Sequence, residues 1–78
     1  MTVELAPMVV ADKHTLGGKP RVKGTRISVA LVLQQMSYGR TIDDLLQNYP
    51  TLTREAILAC LAYAHHAVEE EEILFTAA

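Results

Sequence analysis

The sequence predicts a mainly α fold, with three helices in helix-turn-helix order behind a short N-terminal β arm or hairpin. Three observations carry this. From residue 29 onward apolar residues recur at i, i+3, i+4 and i+7, the spacing that gathers them on one side of a helix. Ser28, Thr41 and Thr53 each stand just before such a run, where a hydroxyl accepts from the first free N–H groups of a helix. Before residue 27 the chain is rich in valine and punctuated by glycine, a strand-and-turn composition. The chain reads as one domain over 1–78, with a β arm over 1–27, helices over 28–75 and an acidic tail over 69–78.

Taken in order, "VELAPMVV" and "RVKGTRI" are the β segments, and "ADKHTLGGKP" between them is the turn. The first helix follows Ser28 with Val29, Val32, Leu33 and Met36 on one side, and Gly39 is placed to stop it. Thr41 caps the second. Its "TIDD" start puts Asp43 and Asp44 at the positive end of the helix dipole, with Asp44 set to reach back to the cap. Ile42, Leu45, Leu46 and Tyr49 form its stripe, and Pro50 ends it. Thr53 caps the third, with Leu52 and Ile57 spaced as a hydrophobic staple. That helix is expected to reach about residue 73, roughly 30 Å long. Ile57, Leu61, Ala64, Val68 and Phe75 make one stripe, which Leu58, Cys60 and Tyr63 widen beyond a single packed side.

A chain of 78 residues, half of them hydrophobic, builds one small core. Domains of this size commonly gain stability by self-association, so a homodimer is expected. The lone Cys60 permits no internal disulfide, and "MTVELAPMVV" has neither the basic start nor the apolar run of a signal peptide. Together they point to the cytoplasm, with no membrane association. Charge is divided: residues 1–40 hold six Lys/Arg against two acids, and residues 41–78 hold one Arg against seven. Two faces with different partners, or two copies meeting by opposite ends, would suit that asymmetry.

The cations cluster in "GGKPRVKGTR". Strand alternation sends Lys19, Arg21 and Lys23 to one face, with Pro20 and Val22 on the other. Arg26 follows, and the simplest reading pairs it with Asp43, Asp44 or Glu55. Otherwise Arg26 joins Lys19, Arg21 and Lys23 as a basic site for nucleic acid, and the alternative for those three is solvated charge. Gly24-Thr25 lacks the lysine that a phosphate-binding loop requires. The third helix has one cation, Arg54, and carries Glu55, His65, His66, Glu69 and Glu70, which phosphates would repel. At the acidic end, Glu69 and Glu70 with Ile73, Leu74 and Phe75 read as a partner-binding tail or as a solvated helix end. His65 and His66 diverge by about 100° on a helix and complete no metal set, while Cys60 on an apolar face reads as a buried thiol. Neither catalysis, nor a metal, nor a cofactor is expected.

The elements "GGKPRVKGTRISV" and "TIDDLLQNYPTLTREAILACLAYA", with Gly39 between them, resemble the family called domain of unknown function 433 (DUF433) over roughly residues 10–66. The matching positions are Gly18, Lys19, Pro20, Gly24, Thr25, Arg26, Ile27, Gly39, Tyr49, Pro50, Leu52 and Thr53. Arg21 departs from the family, which more often has an apolar residue there. The resemblance implies a homeodomain-like three-helical fold with an N-terminal β arm. It also implies a VapB-type antitoxin role, neutralising a PIN-like ribonuclease toxin. The leading expectation is thus a dimeric antitoxin, with operator DNA as a second candidate ligand. The alternatives are a DNA-binding regulator without a toxin, and an interaction module that binds no DNA.

Overall fold

Val9 and Val10 are both buried, although neighbouring side chains of a strand point to opposite faces. The strand that carries them is therefore covered on both sides. In the computed structural model, which describes residues 1–71, it is the middle strand of three. β1 (Val3–Ala6), β2 (Val9–Ala11) and β3 (Arg21–Val22) form an antiparallel sheet in the order β1-β2-β3. A two-residue turn, Pro7–Met8, joins β1 to β2, and Met8 takes a φ of 66° where glycine is the usual resident. The β1–β2 register shifts between Glu4 and Ala6, leaving Leu5 as a bulge.

Three helices follow: α1 (Val29–Ser37), α2 (Ile42–Asn48) and α3 (Arg54–Glu71). Their starts are set by the three hydroxyls. Ser28 Oγ accepts from the Leu31 N–H at 3.0 Å, and Thr53 Oγ1 from the Ala56 N–H at 3.1 Å. At α2 the box is complete: the Asp44 N–H donates to Thr41 Oγ1 at 3.1 Å, and the Thr41 N–H to Asp44 Oδ2 at 2.8 Å. Gly39 ends α1 with a φ of 91°, its N–H donating to the Met36 carbonyl at 3.0 Å. Both staple residues, Leu52 and Ile57, are buried.

One core joins sheet and helices. Val9 and Val22 of the sheet lie in the same cluster as Val29, Val32, Leu45, Leu52, Ala56, Ile57 and Cys60. This corrects the expectation of a mainly α chain with a β arm: the fold is mixed α/β, with a sheet that shares the helical core. The physical reason lies in "VELAPMVV", where Pro7–Met8 folds one β segment back on itself and supplies an extra strand. On α3 the buried line is Ala56, Ile57 and Cys60, with Tyr63 partly covered, while Val68 is exposed. The helix therefore outruns the core that holds its first half. Glu72, Ile73, Leu74, Phe75 and the expected end of the helix near residue 73 lie outside the described residues. Among those described, no helix is long and apolar enough to cross a membrane.

Hydrogen bonds from the Thr41 backbone and hydroxyl hold the Asp44 carboxyl below its ordinary pKa, so the return half of the cap favours the ionised carboxylate, while the Thr41 hydroxyl caps α2 in either state. Thr41→Ala should cost ~1 kcal/mol, lowering the midpoint of thermal unfolding by about 4–8 °C. Circular dichroism melting of the two proteins side by side checks this.

Candidate functional site

Three regions of the described surface concentrate charge or unfilled apolar space. The first is the glycine-rich stretch between β2 and α1. Leu16, Gly17 and Gly18 take φ values of 52°, 65° and 85°, and the turn closes through the Gly18 N–H to the Thr15 carbonyl at 3.0 Å. Two residues of strand follow. The chain then loops over Lys23–Arg26, closed by the Val22 N–H to the Ile27 carbonyl at 2.9 Å and braced by the Thr25 hydroxyl. Gly24 sits on this loop with a φ of 78°, as its turn chemistry leads one to expect.

Arg21 does not share an open face with Lys19 and Lys23. It pairs with Asp12 at 2.9 Å, and the two side chains are only 13% and 11% exposed. The strand is too short for alternation to govern its neighbours, and Asp12, at the end of β2, lies within reach of the guanidinium. Arg21 Nε and Nη1 are buried without a hydrogen-bond partner among the described residues. Burial alone would raise the Asp12 pKa. The His14 N–H, the Thr15 hydroxyl and the Arg21 charge outweigh it and hold that carboxyl below its ordinary value.

The remaining cations are exposed. Lys23 Nζ stands 3.9 Å from a Glu4 carboxylate oxygen, a loose surface pairing of small energetic weight. Arg26 has no ion pair among the described residues. Asp43, one partner proposed for it, is taken by Arg54 at 3.0 Å.

The second region is the far end of α3, where Glu69 and Glu70 are exposed. His65 Nε2 lies 2.9 Å from Glu69 Oε2, one helical turn away. The adjacent rings of His65 and His66 are tilted, with centroids 5.6 Å apart, and among the described residues no three His, Cys, Asp or Glu side chains gather as a metal set. Cys60 is fully buried, and that burial pushes its thiol pKa up.

The third region is one that sequence reasoning missed. A cavity of about 300 Å³ runs between α1 and α3, walled by Val29, Ala30 and Leu33 on one side and Ala64, Ala67 and Val68 on the other, with Lys19 and Pro20 at its rim. The signal was present in the width of the α3 apolar surface. Locating the groove required the crossing of α1 and α3.

The sequence profile of a family described as a protein of unknown function, DUF433, matches residues 9–64. That segment runs from β2 to the middle of α3 and stops before the acidic end. An uncharacterized protein of Sinorhizobium fredii is 33% identical over 57 residues. The match takes in 73% of this chain and 26% of that protein, so the chain spans about a quarter of this relative's length. The crystal structure of a DUF433 member from Anabaena variabilis superimposes with a TM-score of 0.75 at 28% identity, over 88% of this chain and 68% of that one.

Two tests bear on the glycine-rich stretch. No side chain crowds the Gly24 Cβ position, so Gly24→Val should act through backbone strain alone, costing about 1–2 kcal/mol, read as a lowered denaturant midpoint. The second is acid stability. Asp12 has a depressed folded pKa, so its contribution is present above the unfolded value near ~4 and is lost as pH falls through the folded one. Asp12→Asn should lower stability at neutral pH and flatten the acid limb of the stability–pH curve, measured by urea unfolding.

Proposed function

The chain belongs to the DUF433 family, and from that premise we propose an antitoxin-type binding protein. It neutralises a PIN-like ribonuclease in the cytoplasm, contacts operator DNA and catalyses nothing itself. The observation that carries the reading is the projecting acidic end of α3: Glu69 and Glu70 stand exposed beyond the core, next to the uncovered apolar surface of Val68. A ribonuclease holds RNA with cations. An acidic helix end beside an apolar surface is complementary to such a site, and Ile73, Leu74 and Phe75 follow it in the sequence as apolar anchors.

A DNA contact is favoured by a separate observation, the exposed cations of the glycine-rich stretch. In this reading α2, the turn over residues 49–53 and α3 form a homeodomain-like helix-turn-helix. The start of α3 offers DNA little, because Arg54 is engaged with Asp43 and Leu58 is exposed beside it. Lys23 and Arg26, on the loop away from the α1–α3 groove, therefore carry the phosphate contacts, and Arg21 is left to its structural pair.

Titration calorimetry against the PIN-like ribonuclease encoded beside its gene tests the leading reading. Glu69→Lys with Glu70→Lys should weaken that complex at least tenfold, more so at low salt; unchanged affinity in the double variant overturns it. For DNA, Lys23/Arg26→Ala should flatten the salt dependence of binding to upstream duplex by up to about two units of log–log slope. A slope that does not move assigns the contact elsewhere.

A further inference from the structure

We infer that the groove between α1 and α3 seats the α3 helix of a second copy of this chain, in a two-fold dimer. Three features of the groove select that occupant. Its walls are almost wholly carbon, and Val68, on its edge, is 58% exposed. Such a surface is complementary to another apolar ridge rather than to a polar ligand. Ala30, Ala64 and Ala67 line it, and these small side chains let a second helix approach closely along its length.

Charge then selects the partner. Among the described residues Lys19 is the only charged side chain lining the groove, while Glu69 and Glu70 follow Val68 along α3. When the partner's Val68 enters the groove, the glutamates that follow it on its helix are brought to the space that Lys19 lines. The C-terminal end of a helix is also the negative end of its dipole, so helix and side chains present the same sign to the lysine. A two-fold axis repeats the contact with the roles exchanged, because one chain holds both groove and ridge. The half of the chain with excess positive charge thereby meets the half with excess negative charge. Lys23 and Arg26 do not line the groove and stay outside the contact. The inference does not rest on a toxin, and its test uses this protein alone.

Sedimentation or light scattering of the full chain at micromolar concentration should give twice the 8.6 kDa of one chain. Val68→Glu should raise the dimer dissociation constant at least tenfold with an unchanged circular dichroism spectrum, since that side chain is already largely in water. Lys19→Glu should weaken the dimer, and adding Glu69→Lys and Glu70→Lys should restore it. A wild-type monomer overturns the inference, whether the groove is open or filled by residues 72–78 of the same chain. So does a dimer that Val68→Glu leaves intact, or a charge reversal that fails to restore association.

Discussion

The ion pair between Asp12 and Arg21 is the contact on which the arrangement of the rest depends. It joins the end of β2 to the beginning of β3 across nine positions of chain, and so closes the glycine-rich turn from outside. Arg21 is also the residue that pairs with Val10 in the sheet and bridges to Ser28. Ser28 is the cap of α1, and the first amide of that helix, Val29 N–H, donates to the Pro20 carbonyl at 3.0 Å. Holding Arg21 thus holds the start of α1, one wall of the groove. A largely buried pair of this kind is weak support for stability in itself, because both charges give up water. Its contribution is to register: it ties the end of β2 to the start of β3 through one contact, Arg21 Nη2 to Asp12 Oδ2.

That role changes how the cationic stretch functions. A charge committed to a partner inside the fold is not available to an external anion, so the surface cations are those at the two turns, Lys19 before the strand and Lys23 and Arg26 after it. The two sites differ in surroundings. Lys19 sits at the rim of apolar space, whereas Lys23 and Arg26 ride on a loop braced by a threonine hydroxyl. A lysine beside carbon suits a protein partner, and a braced loop with protruding cations suits a phosphate backbone.

What was legible in the sequence follows how local each cause is. Ser28, Thr41 and Thr53 act on amides three residues away, so the cap positions could be read directly, as could the glycine stop at Gly39. The third strand was not legible. "VELAPMVV" reads as one β segment, and only pairing reveals that Met8 accepts a left-handed turn conformation. The fate of Arg21 was hidden for a similar reason, since its partner lies on a different strand and nothing near it in sequence announces an acid. Arg26 was expected to find an acid on the helices; Asp43 instead meets Arg54, its neighbour across the α2–α3 turn. The groove could be sensed only as the excess that Leu58, Cys60 and Tyr63 add to the α3 stripe, until α1 supplied its other wall.

The bulge at Leu5 limits how far the sheet can grow. β1 is an edge strand, and exposed valine and leucine on an edge invite a neighbouring chain to add itself, then another, toward a filament. An incoming strand needs an even row of amides and carbonyls. Along β1 that row is interrupted after Glu4, where the extra residue turns the backbone and breaks the spacing. Only a fragment of ladder could form before the two chains fell out of step. A protein that carries open apolar surface between α1 and α3 also has, at its sheet edge, a built-in stop against polymerisation.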